Sequence, residues 1–166
     1  MFLRIEDFLQ EWKFETQKTA QLFENLTDES LTQQVTDDHR TLGRIAWHMT
    51  VTLHELLSHT GLTFDGYGDT DEMPTSAVDI RDAYLQNAKS LVEALSSQWT
   101  DADLTKSSSM YGEEWLNGLT LRVLISHEIH HRGQLTVLAR QAGLLLPDIY
   151  GPTRESWIQM GQEPLQ

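Results

Sequence analysis

The chain has 166 residues and a mass of 19.0 kDa, enough to bury a core without cross-links and short enough to read as one domain over 1–166. Its formal net charge is −13, from 25 acidic against 12 basic residues, which argues against nucleic acid and anionic membrane surfaces as partners, because both are held by clustered Lys and Arg. Cysteine is absent, which excludes disulfides, thiolate metal ligands and a cysteine nucleophile and fits a reducing compartment.

The N-terminus turns acidic at Glu6 and Asp7 before any apolar run develops, and no stretch approaches the length of a transmembrane helix. No signal peptide and a cytoplasmic location are therefore expected. Ile5, Phe8, Leu9, Trp12, Ala20 and Phe23 recur at helical spacing and predict a first helix over roughly 3–25. A second runs from Leu42 to about Thr60, where Gly61 can end it. The connection 62–75 is rich in Gly and Asp and ends near Pro74. It is too long for a tight helical hairpin and is expected to cross the bundle. Ser76 and Asp79 form a candidate capping box before a third helix that carries Ile80, Tyr84, Ala88, Leu91 and Leu95. The fourth extends from near Leu119 to Ala142, with Gly143 and Pro147 beyond it, and a short last turn carries Trp157. No strand pattern competes. The expected fold is all-α, a four-helix bundle with a long crossover between helices 2 and 3.

The fourth helix carries the chemistry. His127 and His131 are four residues apart, within about 40° around a helix axis, and share an apolar stripe with Leu124, Leu135, Leu138 and Ala142. Imidazoles among leucines need partners, either hydrogen bonds or a metal ion that satisfies both at once. His48, beside Ile45 and Met49, lies at the edge of the second helix's inward stripe and is the candidate third ligand. Three neutral imidazoles with an open position suit catalytic zinc, and nickel accepts the same donors.

The run His127-Glu128-Ile129-His130-His131-Arg132-Gly133-Gln134, the following Tyr150-Gly151-Pro152 and the upstream Trp47-His48 resemble the DinB/YfiT-like family over nearly the whole chain. The resemblance implies a small four-helix bundle in which one histidine of the second helix and two of the last core helix hold a divalent metal. In this sequence those are His48, His127 and His131. It further implies nickel or zinc as cofactor, a homodimer, and a small-molecule substrate. Some relatives join a low-molecular-weight thiol such as bacillithiol, mycothiol or glutathione to an electrophile, so a metal-dependent thiol transferase is the leading expectation. A metal-dependent hydrolase and a non-catalytic metal- or ligand-binding bundle are the alternatives.

His127 to His131 also fits HExxH, the zinc-protease motif, with Glu128 as base. The extended metzincin form would need Gly at 134 and His at 137, where this chain has Gln134 and Val137. Glu128 is otherwise expected as a solvated surface residue, His130 as partly exposed, and Arg132 and Gln134 as hydrogen-bonding residues of the bundle or dimer. His54, about 240° around the helix from His48, cannot easily share its metal. His39 and His59 need no function, and Trp12, Trp47, Trp99, Trp115 and Trp157 are expected in core and interface.

Overall fold

A computed structural model describes residues 1–164. Four long helices form the body: α1 (Ile5–Phe23), α2 (Leu42–Ser58), α3 (Ala77–Gln98) and α4 (Asn117–Gln141). A short α5 (Arg154–Gln159) carries Trp157, as the sequence leads one to expect. The helix ends follow local rules. Thr41 caps α2 by accepting from the Arg44 amide at 3.2 Å, and Ser76 caps α3 by accepting from the Asp79 amide at 3.4 Å. Gly143, at φ +81°, ends α4 and lets the Leu144 amide reach back to the Ala139 carbonyl at 2.9 Å.

Around the bundle the helices neighbour one another in the order α1, α3, α2, α4. The connection between α2 and α3 runs lengthwise along the pair. Its start is tied to the far end of α3, where the Thr63 amide and carbonyl both bond Gln98. Its middle meets Asn87, which accepts from the Tyr67 amide at 2.8 Å and donates to the Tyr67 and Thr50 carbonyls at 2.8 and 2.9 Å. Its end passes Trp47, whose Nε1 donates to the Asp71 carbonyl. The crossover thus returns the chain to the level where α2 began, and α2 and α3 run parallel.

The core is a continuous cluster of Leu, Ile, Ala and aromatic side chains from all four helices. Leu121, Leu124 and Leu135 of α4 are fully buried, and each such side chain contributes roughly 1.5–3 kcal/mol. Phe8 stacks on Trp12, and Phe23 packs on Tyr84 across α1 and α3.

One element departs from the all-helical expectation. Between α3 and α4 a small antiparallel hairpin pairs β1 (Ser107–Met110) with β2 (Glu113–Leu116). Its turn is Tyr111-Gly112, with φ of 52° and 86°. Positive φ at both central residues matches the right-handed twist of a two-residue hairpin, which explains why so polar a segment pairs at all. Among the described residues no helix is long and apolar enough to cross a membrane.

Candidate metal centre

The three sequence-predicted histidines meet where α2 faces α4. His48 comes from α2, and His127 and His131 project from successive turns of α4, so two elements build the group. One nitrogen from each ring lies within 4.8 Å of the others. The ring centroids are 4.9 Å apart for His48 and His127, 4.7 Å for His48 and His131, and 4.3 Å for His127 and His131. The Nε2 atoms of His48 and His127 approach to 3.1 Å. Two imidazoles bound tetrahedrally to one zinc would have nitrogens about 3.4 Å apart, so a spacing that here serves a hydrogen bond between the rings also suits two ligands of one ion.

Two of the three rings are held from behind. His131 Nδ1 is 2.7 Å from Gln134 Oε1, which assigns the ring proton to Nδ1 and leaves Nε2 as a free lone pair. His48 Nδ1 is 3.3 Å from Thr52 Oγ1 one turn along α2. Burial lowers the proton affinity of all three rings, and neighbouring rings and the charge of Arg40 lower it further. His48 is brought to about 4 and His127 to about 3, while His131 moves the same way. Three imidazoles whose protonation burial opposes, each with a nitrogen within 4.8 Å of the others, are a fit donor set for zinc, nickel or a similar divalent ion.

His130 is exposed and packs edge-on against His131 at 4.8 Å without joining the group. His54 packs on Phe64, His59 sits beside Glu55 at the end of α2, and His39 bonds Thr36 in the preceding turn.

Glu128 corrects the expectation of a solvated residue. It is buried at 1% exposure, and one carboxyl oxygen accepts from both Thr19 of α1 and Tyr84 of α3 at 2.5 Å. Burial pushes its carboxyl pKa up against those two donors. Arg132, one turn on, is buried too and pairs with Glu15, Thr19 and the Tyr150 hydroxyl. The network locks α4 to α1 and to the segment after α4. Glu128 is thereby turned towards α1 and α3 and is not placed as a zinc-protease base.

A cleft of about 510 Å³ opens beside His131 and Gln134, bounded by Ile45, Leu138 and the segment carrying Asp38 and Arg40. A groove of similar size between α1 and α3 has no histidine in its walls. The former is lined by His131 of the histidine group.

The family model described as the DinB family matches residues 1–164. The chain belongs to the DinB family. A DinB-like protein of Bacillus cereus ATCC 10987, known from its crystal structure, is 47% identical and superposes with a TM-score of 0.87 over 90% of this chain and 100% of that one. The uncharacterized protein YrdA of Bacillus subtilis strain 168 is 46% identical over 163 residues, 98% of each chain. The DinB-like protein YjoA of Bacillus subtilis shares only 17% identity but has a TM-score of 0.69 over 86% of this chain and 97% of its own, a likeness of fold. The DinB fold and the three-histidine group are therefore both in place in this chain, as the motif led one to expect.

Proposed function

We propose that His48, His127 and His131 hold one divalent metal ion, zinc or nickel, and that the protein is a metal-dependent transferase joining a low-molecular-weight thiol to a small electrophile. The observation that carries this is an open donor set. Three neutral imidazoles converge beside a cleft, and among the described residues no fourth carboxylate or imidazole closes the group. Structural zinc sites are usually closed by four protein ligands.

When bound, the metal supplies Lewis acidity that keeps a coordinated thiol ionised at neutral pH. The chain's own residues do the rest. Burial opposes protonation of all three rings, which favours the neutral form that binds a cation. Gln134 fixes the His131 ring, and Thr52 stands behind His48. Because the chain has no cysteine, the sulfur must arrive with a cosubstrate. The hydrolase alternative is weakened by Glu128, the carboxylate best placed in sequence to activate water, which is committed to Thr19 and Tyr84 instead.

The test uses protein purified without a histidine tag, loaded with zinc or nickel, and incubated with bacillithiol or glutathione and chlorodinitrobenzene. Thioether formation should depend on metal and be lost in His131→Ala, while His54→Ala retains it. Ester hydrolysis without any thiol-dependent conversion would replace the transferase reading with the hydrolase one.

A further inference from the structure

The cleft beside His131 has a charge on its rim that the bundle does not use. Arg40 lies in the exposed turn that leads into α2 and lines this cleft. Among the described residues it has no carboxylate within 4.0 Å and no hydrogen bond, in a chain whose net charge is −13. Arg4, Arg81, Arg122, Arg132 and Arg140 are each paired with an acidic side chain, and of Arg40, Arg44 and Arg154, which among the described residues are not, only Arg40 lines the cleft. An acidic protein offers a guanidinium many partners, so one left free at the mouth of a cleft is available to a ligand. Arg40 and His131 line the same cleft, which sets the guanidinium within one site with the histidine group. The wall between them is apolar, with Ile45 and Leu138 buried beneath it and Val137 beside it. Asp38 is the acidic side chain on the same rim.

We infer that this cleft takes a molecule bearing a carboxylate, with Arg40 as the residue that binds the carboxylate at the mouth while an apolar body lies over Ile45 and Leu138 and a reactive heteroatom reaches the histidines. Guanidinium and carboxylate match in shape and charge, and the fork of Arg binds the two oxygens together. Arg40 is therefore a specificity-determining residue. The inference rests on the proposal that the histidines hold a metal which receives a thiol, and the experiment separates the two.

Cobalt-loaded protein is titrated calorimetrically with mercaptohexanoate and with mercaptohexanamide, its neutral counterpart, while the thiolate-to-cobalt absorption is followed in parallel. The carboxylate should bind about tenfold more tightly than the amide, the lower range for a charged hydrogen-bonded pair open to solvent. That preference should vanish in Arg40→Ala, persist in Arg44→Ala, whose side chain is outside the cleft, and shrink as salt is raised. Asp38→Asn should increase it. Equal affinities for the two probes would overturn the inference. So would a preference that survives Arg40→Ala, which would place the carboxylate on the metal, or one lost equally in Arg44→Ala, which would mean a diffuse field. If neither thiol gives the cobalt absorption, the metal reading fails, and the calorimetric preference still decides the role of Arg40. Arg40 is exposed and unbonded, so its substitution leaves the fold intact, and unchanged thermal unfolding of the variant checks this.

Discussion

Replacing Gln134 by Ala removes the acceptor 2.7 Å behind His131 without touching a candidate ligand. With that bond the His131 ring has a fixed tautomer and a fixed plane; without it the proton can sit on Nε2, and the ring must be ordered anew each time a cation binds. Losses for such supporting residues run from about 10-fold to about 100-fold in metal affinity. The bond here is neutral and Gln134 is exposed, so the lower end applies: about tenfold, or about 1.4 kcal/mol. Gln134→Glu replaces a neutral acceptor with a charged one that bonds roughly twice as strongly, and it should hold the wild-type affinity or exceed it. The assay is competition for zinc against a chromogenic chelator at neutral pH. Thermal unfolding in parallel should show under about 0.5 kcal/mol of change, as for other surface substitutions. If Gln134→Ala binds zinc as wild type does while His131→Ala does not bind it, the orienting role assigned to this bond is wrong.

The buried pair Arg132–Glu15 gives a stability prediction: Arg132→Met strands a buried carboxylate and should cost about 3–5 kcal/mol, on the order of 10 °C in Tm, while Glu15→Leu with Arg132→Met recovers much of it. A single variant no less stable than the double would refute the account. The depressed histidines set a pH dependence for the metal-free protein. The unfolded chain takes up protons on these rings below about pH 6.5, whereas folded His48 and His127 resist until about 4 and about 3, so stability is present above that first value and is lost as pH falls through the window. Denaturant midpoints at neutral and acid pH should show a fall that is smaller in a His48→Gln/His127→Gln variant. Finally, we propose a homodimer, from the family resemblance and from Phe14 and Leu85, both exposed on α1 and α3; light scattering at micromolar concentration should give twice 19.0 kDa, and a mass equal to it would count against the dimer.

Much of this architecture is legible in the sequence because helical spacing is a strong signal. The helix carrying His127 and His131 is bounded in advance to within two residues, and the lone histidine that joins them comes from the helix expected to supply it. What escapes is pairing across helices. α4 packs against both α1 and α2, so its buried face is wider than the stripe through Leu124, His127 and His131, and it takes in Glu128 and Arg132. Glu128 is read as exposed because burial of a charge requires a partner, and its partners Thr19 and Tyr84 are more than forty positions away in the chain; Arg132 is expected to hydrogen-bond within the bundle or dimer, but its partner Glu15 is equally remote. The hairpin escapes for the opposite reason. Its strands are serines and glutamates with little β character, and the turn at Tyr111-Gly112 is the only local signal. Arg40 escapes too, since nothing in a sequence tells a paired arginine from a free one.

Loops of helical bundles ordinarily accept insertions, because lengthening a loop adds little closure entropy and disturbs no packing. The crossover between α2 and α3 is a different kind of segment. Asn87 holds it by two hydrogen bonds to Tyr67 and is itself anchored to α2 by a third, to the Thr50 carbonyl, and Gly66 lies so close to that amide that a Cβ would come within 2.3 Å of Asn87 Oδ1. Its far end is tied to Trp47, the residue before His48. One extra residue between 63 and 71 would put either the amide clasp or the tryptophan bond out of register, and the strain would be delivered to the turn of α2 that carries a candidate metal ligand. The length of this connection is thus a dimension of the site itself, and a linker engineered here should change metal affinity where one of equal length placed in the exposed turn of the hairpin would not.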